Sequence, residues 1–306
     1  VKKKYSILIS LFVLTLSSLV VAQEKNEIHF KAVSSGYAEV NGTKLYYEMA
    51  GAGQPLVLIH GNFGDRRHWD LQFIELSKKY KVLRYDCRGY GKSALPKADE
   101  AYKDCEDLKA LMEFLGIKKA HLCGLSQGGD IAIDFVLAYP DMAISLIPIG
   151  PQVMGMGEEE YNTPAFDTLR VTAVQTLEIL KSKGPKGATD YLWTGEHVFG
   201  KSVISQVTRR ALLQMGYDYS WWRYLNANKR GYAFPKAIRK LNEIRIPSLI
   251  VTAEFDLPVC KELVDLMIEK IPGAKLISIK GAGHIMNMDK AGEFNKAVSE
   301  FLDNIK

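Results

Sequence analysis

Residues 119–138 read Lys119-Ala120-His121-Leu122-Cys123, then Gly124-Leu125-Ser126-Gln127-Gly128-Gly129, then Asp130 to Ala138 with apolar residues at helical spacing, stopping at Tyr139-Pro140. The centre is a G-x-S-x-G motif. Its flanks carry more information than its letters: an apolar run of strand length precedes it and a helical pattern follows. A strand that reverses sharply into a helix needs small neighbours, because the chain is tight and the serine sits in a strained conformation. The hydroxyl then projects beside the positive end of the helix. An ordinary βα turn could hold a serine between glycines and share the letters. The strand and helix flanks favour a nucleophile elbow with Ser126 as the nucleophile.

A nucleophilic serine needs a base, and the base needs an orienting acid. The six histidines are His29, His60, His68, His121, His197 and His284. His121 lies in the strand before the elbow and reads as a packed core residue. His60 ends the run Leu56-Val57-Leu58-Ile59 and precedes Gly61. His284 closes Gly281-Ala282-Gly283-His284, between the strand-like Lys275–Ile279 and the amphipathic stretch 291–305. A glycine-rich loop leaves it free to shuttle a proton. The candidate acid is Asp256, in Ala253-Glu254-Phe255-Asp256 after the apolar Ser248–Val251; Glu254 is the alternative. The resulting chain order is nucleophile, acid, base.

From about Gly36 to the C-terminus the chain resembles the α/β-hydrolase superfamily, most weakly in the middle. Four motifs carry the resemblance. They are Leu58-Ile59-His60-Gly61-Asn62-Phe63-Gly64 with Trp69 shortly after, Tyr85-Asp86-Cys87-Arg88-Gly89-Tyr90-Gly91-Lys92-Ser93, the elbow, and the Asp256 and Gly-x-Gly-His284 pair. The resemblance implies a doubly wound, mostly parallel eight-stranded α/β sheet with an inserted helical cap. It is strongest to the cap-bearing branch that includes small esterases, lactonases and carbon–carbon bond hydrolases. It implies Ser126, Asp256 and His284 as catalytic residues. The main-chain N–H groups of Asn62 and Gln127 form the implied oxyanion hole, with His60 bracing the first loop. Phe63, in the same loop, is expected to touch substrate. A serine nucleophile speaks against the dehalogenase and epoxide hydrolase branches, which need a carboxylate. No metal and no organic cofactor is implied. The expected function is hydrolysis of a small-molecule carboxylic ester or lactone. The alternatives are a carbon–carbon bond hydrolase, a cofactor-free peroxidase, or a catalytically idle ligand-binding protein.

The segments around these motifs read as follows. Residues 1–22 have a basic start, an uncharged apolar core from Tyr5 to Val21, and small residues at Val20-Val21-Ala22. That pattern is a secretory signal peptide cleaved near Ala22, and predicts an exported protein without a membrane span thereafter. A membrane anchor is the alternative, disfavoured by the serines and threonine inside so short a stretch. Removing the leader takes three lysines and no acids from the 40 bases and 35 acids, leaving 37 against 35. So balanced a charge gives no sign of a nucleic-acid groove. Cys87, Cys105, Cys123 and Cys260 have no C-x-x-C spacing, so no zinc or redox site is expected. Export would permit a Cys87–Cys105 disulfide.

Glu24–Ser35 reads as a loose arm, and Asn41-Gly42 as the turn of a hairpin. Strand-like and helical segments then alternate through 23–150 and resume over 236–306, as the two parts of one core. Between them, 151–235 reads as a helical cap, with helices over 164–181, 202–215 and 219–228. Its aromatics include Trp193, Tyr217, Tyr219, Trp221, Trp222 and Tyr224. Most should hold the cap to the core. Tyr217, Trp221 and Trp222 are the candidates to line a substrate pocket, with one of the adjacent tryptophans facing inward. His197 reads as a polar cap residue.

Overall fold

Asn41 and Gly42 both take positive φ, 47° and 69°, so the chain reverses within two residues. The turn joins strand β1 (Ser34–Val40) to β2 (Thr43–Ala50), as the Asn-Gly pair predicts. The computed structural model describes residues 34–97, 100–195, 199 and 203–305. The leader, most of the expected arm and His197 lie outside the described residues.

Six further strands complete one sheet: β3 (Pro55–Ile59), β4 (Lys81–Tyr85), β5 (Ala120–Leu125), β6 (Ala143–Ile149), β7 (Leu249–Ala253) and β8 (Lys275–Ile279). Their order is β1-β2-β4-β3-β5-β6-β7-β8. β2 runs antiparallel to β1 and β4; the remaining neighbours are parallel. The short apolar runs fall in the middle of this sheet. Leu56, Val57, Leu58 and Ile59 are fully buried, as strands covered on both faces must be.

The helices on the sheet are α1 (Asp70–Leu76), α2 (Asp104–Phe114) and α3 (Gln127–Ala138). The chain moves from β3 to β4 in one direction, then returns past β3 to β5. Right-handed crossovers therefore place α1 and α2 on opposite faces. Consistent with this, α2 packs on α3, and α1 packs on the C-terminal helix (Ala291–Asp303). The direction reverses between β3 and β5, and ligands bind such sheets at the carboxyl ends of strands flanking a reversal. The loop after β3 and the elbow after β5 meet there.

Between β6 and β7 lie α4 (Pro164–Thr194), α5 (Gln206–Asp218) and the single turn α6 (Trp222–Leu225). Two differences from the sequence expectation have local causes. The first helix does not end near Lys181. It breaks at Gly184, which takes φ 70°, and restarts at Pro185, a residue suited to a first helical turn. The restarted segment buries Ala188, Leu192 and Trp193. The expected helix over 219–228 shrinks to one turn because Trp221 is left-handed, at φ 58° and ψ 4°.

Charge holds this insertion to the core. Arg223, itself buried, reaches Asp104 Oδ2 at 2.5 Å, and Arg230 reaches the same oxygen at 2.6 Å. Burial works against the Asp104 charge, but the two guanidiniums keep its carboxyl below the usual range. Asp134 accepts from the main-chain N–H groups of Ala233 and Phe234, at 2.9 and 2.8 Å. No helix among the described residues is long and apolar enough to cross a membrane.

Candidate active site

Ser126 sits between β5 and α3 at φ 51° and ψ −112°, a conformation costly for any residue with a Cβ. Its N–H donates to Ile149 O at 2.7 Å, which ties the turn to β6. The flanking glycines are required by close approach. A Cβ on Gly124 would lie 2.1 Å from Gly128 O, and one on Gly128 would lie 2.1 Å from Ile59 O. The helix that starts at Gln127 directs its free N–H groups toward the turn.

Asp256 and His284 come together from separate loops after β7 and β8. His284 Nδ1 and Asp256 Oδ1 are 2.7 Å apart, and both side chains are buried. The carboxylate is held in place by the Leu257 N–H at 2.7 Å and the Thr252 hydroxyl at 3.2 Å. Glu254 points elsewhere: its Oε2 accepts from Gly281 N–H at 2.9 Å and shapes the loop that carries His284. Of the two carboxylates open in the sequence, Asp256 is the one that meets the imidazole.

Gly150, just past β6, was not singled out in the sequence. It takes φ 47°, and a Cβ there would stand 2.9 Å from the His284 ring and 3.2 Å from Asp256 Oδ2. A glycine directly after a central strand was the available signal. Cys260 is the third group at this corner, its Sγ 3.9 Å from His284 Nδ1. Asp256, Cys260 and His284 offer atoms within 4.8 Å of one another, close enough to be weighed as metal ligands. The carboxylate and imidazole are bonded to each other, and burial pushes the Cys260 thiol well up, so it keeps its proton. That chemistry suits proton transfer better than metal binding, since a thiol ligates as thiolate. All four cysteines are free and buried, Cys87 and Cys105 included.

The loop after β3 is braced by His60. Its Nδ1 lies 2.8 Å from Gly61 O, and its Nε2 accepts from the Cys87 N–H at 3.0 Å. These partners fix the Nδ1–H tautomer. Burial lowers the pKa of His60, so the ring stays neutral. Asn62 turns its side chain inward: Oδ1 accepts from the Phe63 N–H at 2.9 Å and from the Tyr90 hydroxyl at 2.6 Å. Phe63 takes φ 60°. Among the described residues, the main-chain N–H groups of Asn62 and Gln127 donate to no other protein atom. The Gln127 side chain turns to Tyr90, 3.3 Å away.

Ser126, His284, Asn62 and Phe63 line one cavity of about 180 Å³. The cap contributes Leu169, Thr172, Ala173, Thr176, Leu192, Trp193, Phe199 and Tyr224. No Lys, Arg, Asp or Glu lines it among the described residues. Phe63 is therefore where it was expected, but Tyr217, Trp221 and Trp222 are not among the lining residues. Tyr217 is exposed on the outer side, with its hydroxyl on Asp190 and Lys186 over its ring. Trp221 is buried behind Phe63, with ring centroids 5.4 Å apart and Nε1 donating to Gly216 O at 3.2 Å. The expectation assumed one continuous helix through 219–228, with neighbours about 100° apart. The left-handed turn at Trp221 breaks that geometry and brings Tyr224 to the cavity wall. His68, which the sequence reading gave no role, also lines the cavity. It is buried without a partner for either ring nitrogen among the described residues, and burial pushes its pKa down to about 3. His121 is a core residue, with Ser145 Oγ and Gln54 Oε1 at 2.8 and 2.9 Å.

Comparison with known proteins agrees with the fold. The model of the alpha/beta hydrolase family matches residues 56–297. A 2-hydroxy-6-oxononadienedioate/2-hydroxy-6-oxononatrienedioate hydrolase from Paraburkholderia phymatum is 28% identical, over 90% of this chain and 97% of its own. The structure of a bromoperoxidase from Bacillus anthracis is similar at TM-score 0.74 and 26% identity, covering 89% of this chain and 100% of that one. An enol-lactonase from Burkholderia xenovorans LB400 shares the fold at TM-score 0.72 and 24% identity, covering 88% and 100%. With its family matched over most of its length and a strained serine lining one cavity with the histidine of a buried Asp–His pair, the chain belongs to the alpha/beta hydrolase family.

Proposed function

We propose that this protein hydrolyses a neutral, largely apolar carboxylic ester or lactone through an acyl-enzyme on Ser126. The observation that carries the reading is the cavity. It holds Ser126 and His284 among apolar walls and has no charged lysine, arginine or carboxylate on its described lining. Ser126 Oγ attacks the carbonyl carbon while His284 Nε2 takes the hydroxyl proton. Asp256, on Nδ1, holds the tautomer and offsets the imidazolium charge. The oxyanion forms against the Asn62 and Gln127 main-chain N–H groups, which have no competing acceptor among the described residues. His284 returns the proton to the leaving alcohol, and water, activated by the same imidazole, releases the acid.

The relative from Paraburkholderia acts, by its name, on a dienedioate. Such a substrate carries two carboxylates, and burying an unpaired carboxylate in an apolar cavity is costly. The uncharged lining supports an ester or lactone over that carbon–carbon reaction. The leader pattern in 1–22 supports an exported enzyme.

The test is a substrate panel of para-nitrophenyl esters, lactones and vinylogous diketone acids, with a fluorophosphonate probe. The reading requires ester or lactone turnover and a single labelled site at Ser126. Turnover of the diketone acids alone would replace it with carbon–carbon hydrolysis.

A further inference from the structure

A second cavity, about 130 Å³, adjoins the first. Gln152 and Leu169 line both, so the two cavities meet at these side chains. Beyond them the chamber is lined by Met154, Phe166 and Leu263, with Tyr232 near its one charged end. That end is Asp130, four residues after Ser126 on α3. Four residues are one helical turn, so Asp130 lies about 6 Å along the helix from the nucleophile. Its side chain is 3% exposed. Oδ2 accepts from Arg230 Nη2 at 3.1 Å, while Oδ1 has no partner among the described residues. An unmatched buried acceptor is costly, and a donor on a ligand would recover that cost.

We propose that this chamber is a subsite for the non-reacting end of the substrate, an apolar chain ending in a hydroxyl that donates to Asp130 Oδ1. The proposal rests on the ester-hydrolase reading and names the substrate class for the same site. Arg230 already pairs with the carboxylate through Oδ2, and the apolar walls penalise a charged donor, which favours a neutral hydroxyl. A substrate spanning both cavities places its carbonyl at Ser126 and its hydroxyl one helical turn away. Its length is then about five or six carbons.

The test compares para-nitrophenyl ω-hydroxyhexanoate with para-nitrophenyl heptanoate, in which a methyl replaces the hydroxyl. A second pair, ω-hydroxyhexyl and heptyl acetate, puts the hydroxyl on the alcohol side. The kcat/KM ratio of hydroxyl to methyl should be about tenfold or more in one pair, the worth of one good buried hydrogen bond. Asp130→Leu should bring that ratio to about unity; Arg230 keeps Asp104 as a partner, which supports the fold. Leu263→Trp, filling the chamber from the opposite wall, should lower both substrates of the favoured pair relative to para-nitrophenyl acetate. A ratio near unity in both pairs of the wild type overturns the proposal, as does a preference that survives both variants. Failure of the wild type to hydrolyse para-nitrophenyl acetate at all would instead strike the ester-hydrolase reading.

Discussion

Ser126 and Trp221 are both non-glycine residues held at positive φ, 51° and 58°, one at the carboxyl end of the central strand β5 and one in the cap. Ser126, at ψ −112°, is the more strained, since Trp221, at ψ 4°, lies near the left-handed helical region, and the supports differ too. At Ser126 it is imposed by contacts nothing larger than glycine could make, Gly124 against Gly128 O and Gly128 against Ile59 O. At Trp221 it is offset by burying the indole against Phe63, Tyr219 and Tyr224. A turn enforced by backbone sterics writes its residue types into the chain. A turn stabilised by side-chain packing leaves no local mark.

The comparison can be broken hardest at the elbow. Ser126→Ala should reduce kcat by about a millionfold, the scale seen when a comparable triad loses its nucleophile. Circular dichroism should be unchanged and fluorophosphonate labelling lost; retained labelling would contradict the assignment. Asp256→Asn should cost about 10⁴ in kcat, because an amide stabilises the wrong imidazole tautomer. Glu254→Gln should cost only a few-fold, since it removes loop support and not the partner of His284. The reverse ranking in steady-state kinetics would move the acid two residues earlier.

Glycines sharpen the contrast. Gly128→Ala forces a Cβ against the Ile59 carbonyl, and should destabilise the fold by about 3 kcal/mol or more in urea titration. Gly184→Ala, at the helix break in the cap, meets nothing within 4 Å and should cost only the backbone strain of φ 70° and ψ −174°, about 1–3 kcal/mol. Equal losses would mean that the two regions depend on glycine for the same reason.

The aromatics offer a smaller effect in the cap. Tyr224→Ala opens the cavity wall and should shift the kcat/KM ratio for long against short esters by about tenfold, given about 25 cal/mol per Å² of apolar contact. Tyr217→Ala, on the outer face, should leave that ratio unchanged. A shift from Tyr217→Ala without one from Tyr224→Ala would reverse the placement of the cap.

The mildest test uses acid. Burial depresses the His121 pKa from 6.5 to about 4, so the folded state stays neutral while the unfolded chain takes up a proton first. The stability from a neutral His121 is present above about pH 6.5 and is lost as the pH falls toward 4. The limiting slope is about 1.4 kcal/mol per pH unit. His121→Gln should flatten that part of the pH dependence of the urea midpoint without altering its value at pH 8 by a similar amount. An unchanged slope would show that this histidine does not tie core stability to acid.

Several features of the site were legible because one local cause produces them. The elbow glycines answer to steric contact, Asn41-Gly42 to a turn with two positive φ values, and the apolar runs to strands buried on both faces. Gly150 and His68 were not legible. Gly150 is a glycine because of a ring contributed from residue 284. His68 looks like an ordinary polar residue until α1 and the loop after β3 enclose it at the cavity.

By itself, then, the chain determined the order of strands and helices, the position of the serine, and the two loops that carry Asp256 and His284. Each follows from interactions within a few residues or from hydrophobic period. Only the tertiary structure decided that Asp256 and not Glu254 meets His284, that Tyr224 and not Trp221 or Trp222 lines the cavity, and that Asp130 closes a second chamber. Those outcomes depend on the directions side chains take when distant segments pack. Over two residues or one left-handed turn, local sequence does not encode such directions.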